Sequence, residues 1–280
     1  MVAVIDVSAN AVASGAMYAA LRAFRAATRV LVQEFEAAGG SSGSKAPRAG
    51  LVTFDASVSF HDLSSSRVGC VCVMGDVDDA FAPLVLDQWC VELSNPTARA
   101  RLEALIDALA SAPTPTLTRA LSNQAAAGAA VKAAVDGLAD SGGRVTLFLS
   151  SPITVGEGAL PPREGPKVYG SDREKELFLP AAAGGNLTEG AAFWGDLGRA
   201  AVARGVCVDI AALSGAWLDL GSVAQLAATT GGEVRYYPEF LPPPAAAPAP
   251  LLSQGAAAVL PSATVAQHVL ERVMLDVREG

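Results

Sequence analysis

The 280-residue chain is long enough for one large α/β domain or two small ones, since a domain takes about 100 to 200 residues. Its 20 basic and 28 acidic residues leave a net charge of −8, a balance that repels phosphate backbones and excludes nucleic acid as an expected partner. Although 51% of the chain is hydrophobic, no stretch approaches the roughly 18 apolar residues of a membrane span, and the first ten residues lack the charged flank and cleavage site of a signal peptide, so a soluble cytosolic domain is expected.

Val2 to Val7 is an apolar run broken only by Asp6, the pattern of a parallel strand buried on both faces. A chain that starts inside a core strand reads as a fragment. Met17, Leu21, Phe24, Leu31 and Phe35 then mark one face of a long helix, with Arg22, Arg25 and Arg29 on the other. After the loop GGSSGSKAPRAG, the segments LVTFD and VSFHDL flank Ala56-Ser57 as a hairpin, and CVCVMGDV adds a strand. Leu102, Leu105, Ile106 and Leu109 mark a helix ended by Pro113 and Pro115. A further helical face runs from Leu121 through Val131 to Leu138, ends at Gly142-Gly143, and leads into the strand RVTLFLS. Ser150 to about Gly185 reads as a long loop. Leu187, Ala191, Trp194, Leu197 and Ala201 restore a helix before the strand VCVDIAAL. A short helix around Leu220, Val223 and Leu226 then precedes EVRYYP.

Alternating strands and helices imply an α/β fold: a doubly wound, mainly parallel sheet with an antiparallel edge hairpin and helices on both faces. Residues 1–240 form that domain. Residues 241–261 are a Pro/Ala-rich insert expected to be disordered, and 262–280 carry a terminal helix (Ser262, Val265, Val269, Val273) and, in MLDVRE, the first strand of something not included in the sequence.

In such sheets ligands sit beyond the carboxyl ends of the strands, which directs attention to Asp6-Val7-Ser8-Ala9-Asn10. The turn resembles the metal site of a von Willebrand A domain, Asp-x-Ser-x-Ser with a distant Thr and a distant Asp, whose hard oxygens hold Mg²⁺. Here Asn10 replaces the second Ser, Asn123 stands for the Thr, and Ser150-Ser151 stand for the Asp. No metal is therefore expected, and Asp6 and Ser8 are read as caps on backbone amides. Neither GxGxxG nor a P-loop is present, and His61 and His268 are isolated, so no catalytic device is expected. Cys70, Cys72, Cys90 and Cys207 contain no CxxC pair; Cys70 and Cys72 read as small core hydrophobes. Asp76, Asp78 and Asp79 form an acidic cluster, read as a solvated loop or a contact surface.

Several stretches together resemble the trunk domain of the COPII inner-coat cargo adaptor, the Sec twenty-four family. They are VIDVSANAVASGAM, GLVTFDASVSFHDL, GDVDDAFAP, SGGRVTLFLSSPITVGEGALPPRE, VCVDIAAL and LDLGSVAQLAATTGGEVRYYPEF, in that order along nearly the whole chain. The resemblance implies a von Willebrand A-like trunk without enzymatic activity or cofactor. Its implied partners are the trunk of the sister subunit, the Sec twenty-three family, and cytosolic sorting signals of membrane cargo. Its implied place is cytoplasmic, peripheral on endoplasmic reticulum exit sites and COPII vesicles, although net −8 is a poor attractant for anionic lipid. It also implies that Arg163 and Leu226 contact acidic sorting signals; the residues by themselves read equally as a solvated loop Arg163 and a core Leu226 on the stripe with Val223, and Arg144 and Lys167 are helpers on position alone. A guanidinium can hold a carboxylate through two hydrogen bonds, and Leu can give the peptide an apolar shelf. The resemblance makes the strand within 262–280 the first of a following, incomplete β-sandwich, and the completion of that sandwich and the zinc, helical and gelsolin-like modules of the family are absent from this sequence. The alternative reading is a Mg²⁺-dependent von Willebrand A-type protein-binding domain.

Overall fold

The computed structural model describes residues 1–39, 46–64, 70–111, 123–183, 186–238 and 240. The first strand, β1 (Val2–Asp6), leads through α1 (Ala9–Ser14) and α2 (Ala16–Ala37) to β2 (Arg48–Phe54), β3 (Val58–His61) and β4 (Val71–Met74). Next come α3 (Leu86–Trp89), β5 (Cys90–Glu92), α4 (Pro96–Ser111), α5 (Ala127–Gly137) and β6 (Gly143–Leu149). A 3-10 turn over Glu174–Phe178 and a small ladder of β7 (Ala182–Ala183) with β8 (Asn186–Leu187) precede α6 (Glu189–Ala203), β9 (Val206–Ser214), α7 (Leu220–Thr230) and β10 (Val234–Pro238).

The main sheet has the order β10-β9-β6-β1-β2-β3-β4, with β5 pairing the amino end of β2. Its five strands from β10 to β2 are parallel, while β3 and β5 pair antiparallel with β2, and β4 pairs antiparallel with β3. The chain grows from β1 first toward β2 and later toward β6. Because crossovers are right-handed, this reversal puts the helices on opposite faces. Cluster one, on the α5–α7 face, takes Val2, Val4, Leu147, Ile210, Trp89 and Trp194. Cluster two, on the α2 and α4 face, takes Ala3, Ile5, Phe148, Phe24 and Leu102. Neighbouring residues of one strand thus feed different cores, which is why β1 is buried at every position.

Several expectations change. The first helix is two helices, because Gly15 takes the left-handed conformation (φ 81°) that closes α1 before α2 starts. Leu187 belongs to β8, and Thr188 caps α6 by accepting from the Ala191 amide at 3.3 Å. The helix assigned from Leu121 begins at Ala127, and Leu121 lies outside the described residues, as do Pro113, Pro115, His268, the 241–261 insert and 262–280. Cys70 is exposed and Cys72 only half-buried, because β4 closes the sheet as its edge and has no outer neighbour among the described residues. The face with Arg25 and Arg29 is not a free basic stripe: both pair with Glu103, and Arg25 also with Asp107, joining α2 to α4.

Candidate functional site

Two clusters sit beyond the carboxyl ends of the central strands. The first is built where β1 and β6 end side by side. Asp6 Oδ1 accepts from the Ser8 amide at 2.9 Å, and Oδ2 accepts from the Ser150 amide at 3.1 Å and its hydroxyl at 3.2 Å. Ser8 Oγ lies 2.7 Å from Ser151 Oγ and also accepts from the Ala11 amide as the cap of α1. All four side chains are buried. Asn10 and Asn123 are exposed and make no hydrogen bond with Asp6.

Mg²⁺ wants six oxygens in an octahedron with one or two carboxylates and several waters. Here both Asp6 oxygens already receive protein donors, and a Ser–Ser hydrogen bond replaces the second acid. Among the described residues, no group of three or more His, Cys, Asp or Glu is placed to hold a metal. The residues present do not fit Mg²⁺; they lock the turn after β1 onto the end of β6.

Burial pushes the Asp6 carboxyl above its ordinary value of 3.8, against the opposing pull of the Ser8 and Ser150 hydrogen bonds. A carboxyl raised on folding contributes stability that is full below its unfolded value and is lost as pH rises through the folded one. The stability advantage of the parent chain over Asp6→Asn is therefore expected to shrink as pH climbs from below 3.8 through the raised folded-state value. Urea unfolding at a series of pH values measures it, and a difference that stays constant contradicts the assignment.

The second cluster surrounds Arg163, in the loop after β6. Its Nε donates to Asp219 Oδ2 at 2.8 Å and its Nη2 to Oδ1 at 2.5 Å, a two-pronged pair. Nη1 donates to the Glu176 carbonyl at 2.7 Å and Nη2 to the Leu179 carbonyl at 2.8 Å, while the guanidinium lies 5.9 Å from the Trp217 ring centre. Asp219 in turn caps α7, accepting from the Ser222 amide at 3.1 Å. Ser222 Oγ accepts from the Ala181 amide at 2.8 Å. Arg163 thus fastens the 3-10 turn to the start of α7. Outside this clamp, Phe178 and Leu179 are 77% and 58% exposed.

The two residues expected to contact sorting signals therefore differ in kind. Arg163 does hold a carboxylate, but an internal one, and of its five N–H groups four are engaged here. Leu226 is fully buried on the inward stripe of α7 with Val223, in cluster one, so it offers no shelf to a peptide. The structure does not bring the two together on a surface. Of the helpers, Arg144 forks onto the buried Asp209 (2.6 and 3.0 Å) at the amino end of β6, and Lys167 is exposed near Arg163 in sequence. Sequence reasoning missed Asp219, whose only local signal is an acid two residues after Trp217 and one before α7. His61 is a buried imidazole, pushed down to about 4 by desolvation, with Nε2 3.0 Å from Thr53 Oγ1. It serves the core rather than a site.

Comparison with known proteins gives the context. The family description Sec23/Sec24 trunk domain matches residues 2–248. Protein transport protein SEC24 B of Arabidopsis thaliana is 33% identical over 241 residues, covering 84% of this chain and 20% of that protein. Protein transport protein Sec24A of Mus musculus is 28% identical over 238 residues, covering 85% of this chain and 19% of its own length. The crystal structure of the human COPII-coat protein Sec24c matches with a TM-score of 0.59 at 25% identity, over 85% of this chain and 29% of that one. The chain thus spans about a fifth of the length of these curated relatives. The described helices include none long and apolar enough to cross a membrane. With its trunk match running over most of its length, this chain belongs to the Sec23/Sec24 trunk-domain family.

Proposed function

We propose that this chain is the trunk of a Sec24-type COPII coat subunit, a non-enzymatic module that pairs with a Sec23 trunk and helps to gather cargo sorting signals for transport from the endoplasmic reticulum to the Golgi. It works from the cytosol as a peripheral coat component at exit sites. Residues 1–240 are the trunk, and the sequence beyond leads into the family's β-sandwich. The observation that carries this reading is the trunk match over residues 2–248. The geometry supports a scaffold: where an A domain would place its metal, Asp6, Ser8, Ser150 and Ser151 bind only one another and the backbone.

In this reading the sorting-signal contact centres on Arg163, with a changed division of labour. A cargo carboxylate meets the one N–H that Arg163 has left and the exposed Lys167, while Phe178 and Leu179 replace the buried Leu226 as the apolar surface. Arg163 then acts chiefly by holding that surface in place. Direct binding of the 280-residue chain to a purified Sec23 trunk tests the reading. A one-to-one complex is expected, and its absence at about 100 µM of each partner overturns it.

A further inference from the structure

We propose that the outer edge of β4 is a docking strand for an extended, basic segment of a partner protein. In the β3–β4 ladder the Asp62 amide donates to the Cys70 carbonyl at 2.9 Å, and the register continues as Phe60 opposite Cys72 and Val58 opposite Met74. Antiparallel strands alternate between residues that bond to the neighbour and residues that point away. Cys72 and Met74 therefore bond to β3, and the amides and carbonyls of Val71 and Val73 face outward. No strand pairs with that edge among the described residues.

The side chains around the edge fit a strand laid beside it. Val71 and Val73 are 40% and 51% exposed on one face of the sheet. On the other face, where Cys72 and Met74 meet cluster one, Phe81 is 55% exposed, with its amide donating to Met74 Sδ at 3.4 Å. An added strand alternates its side chains between the two faces, so it finds apolar contacts on both. Folded proteins usually blunt a sheet edge with Lys, Pro or a covering loop. The opposite edge does so, ending β10 in Pro238 and carrying the Glu233–Arg235 pair beside it. Val71–Met74 has neither Lys nor Pro.

Charge selects the occupant. Asp76, Asp78 and Asp79 are exposed immediately past the carboxyl end of β4, and the chain carries −8 overall. A second copy of this chain brings the same sign to the edge, whereas a segment with Lys or Arg at one end is attracted to it. This inference does not rest on the coat reading.

The probe is a fluorescein-labelled nonapeptide of alternating Lys and Val, followed by anisotropy with the 280-residue chain. Saturable binding is expected, weakened about tenfold or more by N-methylation of every second amide, which keeps the charge but removes edge hydrogen bonds. Val73→Lys, at a half-exposed position, is expected to weaken it equally while leaving the melting temperature of the chain unchanged. Asp76→Asn/Asp78→Asn/Asp79→Asn is expected to remove most of its salt dependence. Equal binding of the N-methylated peptide overturns the proposal, since attraction to a −8 surface alone then explains it. So does no binding at all, or self-association of the chain through this edge in place of peptide binding.

Discussion

Arg163→Ala is expected to destabilise the chain by about 3 kcal/mol in urea unfolding, the low end of what breaking a buried ion pair costs. The change strips the cation from Asp219, whose side chain is only 3% exposed, and leaves the Glu176 and Leu179 carbonyls without their donor. The low end applies because Asp219 keeps the Ser222 amide. Adding Asp219→Asn should recover part of the loss by removing the stranded charge while keeping a cap on α7, so the two changes are not additive. Arg163→Lys keeps the charge without the fork and should fall in between. A loss below about 1 kcal/mol for Arg163→Ala would place the pair among ordinary surface ion pairs and contradict the clamp.

Trp194→Ala is expected to cost about 3–5 kcal/mol, the range for emptying a large buried aromatic site. Trp194 has no exposed surface, meets Phe193 edge-on at 5.5 Å between ring centres, and donates from Nε1 to the Gly158 carbonyl at 3.0 Å. That bond fixes the loop after β6, which lies so close over α5 and α6 that Gly128 and Gly190 have no room for a Cβ against the Glu157 and Ala159 carbonyls. Trp194→Phe should restore most of the packing and lose about 1 kcal/mol with the hydrogen bond. Trp89 and Trp217 remain as fluorescence reporters in both variants. A loss under about 1 kcal/mol for Trp194→Ala would mean that the site collapses without a cavity.

Much of this architecture is legible in the chain. β1, β6 and β9 show as continuous apolar runs because both of their faces are covered, and α6 and α7 show as single stripes because each has one covered face. The short α3 and β5 carry too few residues for a period to emerge. The site is less legible, for a different reason. Arg163 and Asp219 are 56 positions apart, and no local pattern announces that the loop after β6 returns to the start of α7. Leu226 illustrates the same limit, since an apolar residue on a stripe reads alike as core or as shelf until its neighbours are known. The basic stripe of α2 and the two Cys at β4 depend equally on contacts between elements: α4 supplies the acids for Arg25 and Arg29, and the lack of an outer strand among the described residues leaves Cys70 in solvent. The metal position differs in that its reading turns on residue identity, and Asn10, Asn123, Ser150 and Ser151 are visible in the chain; that the Ser8 and Ser150 amides take both Asp6 oxygens is visible only in the fold.

Titration calorimetry of the 280-residue chain against a purified Sec23 trunk, with Mg²⁺ and again with a chelator, tests the coat-trunk reading most directly. Binding with a Kd of about 1 µM or tighter, the same in both conditions, is the predicted result. Binding that appears only with Mg²⁺ would contradict the account by showing that the Asp6 cluster opens to a metal, and no heat of binding in either condition would contradict the pairing itself.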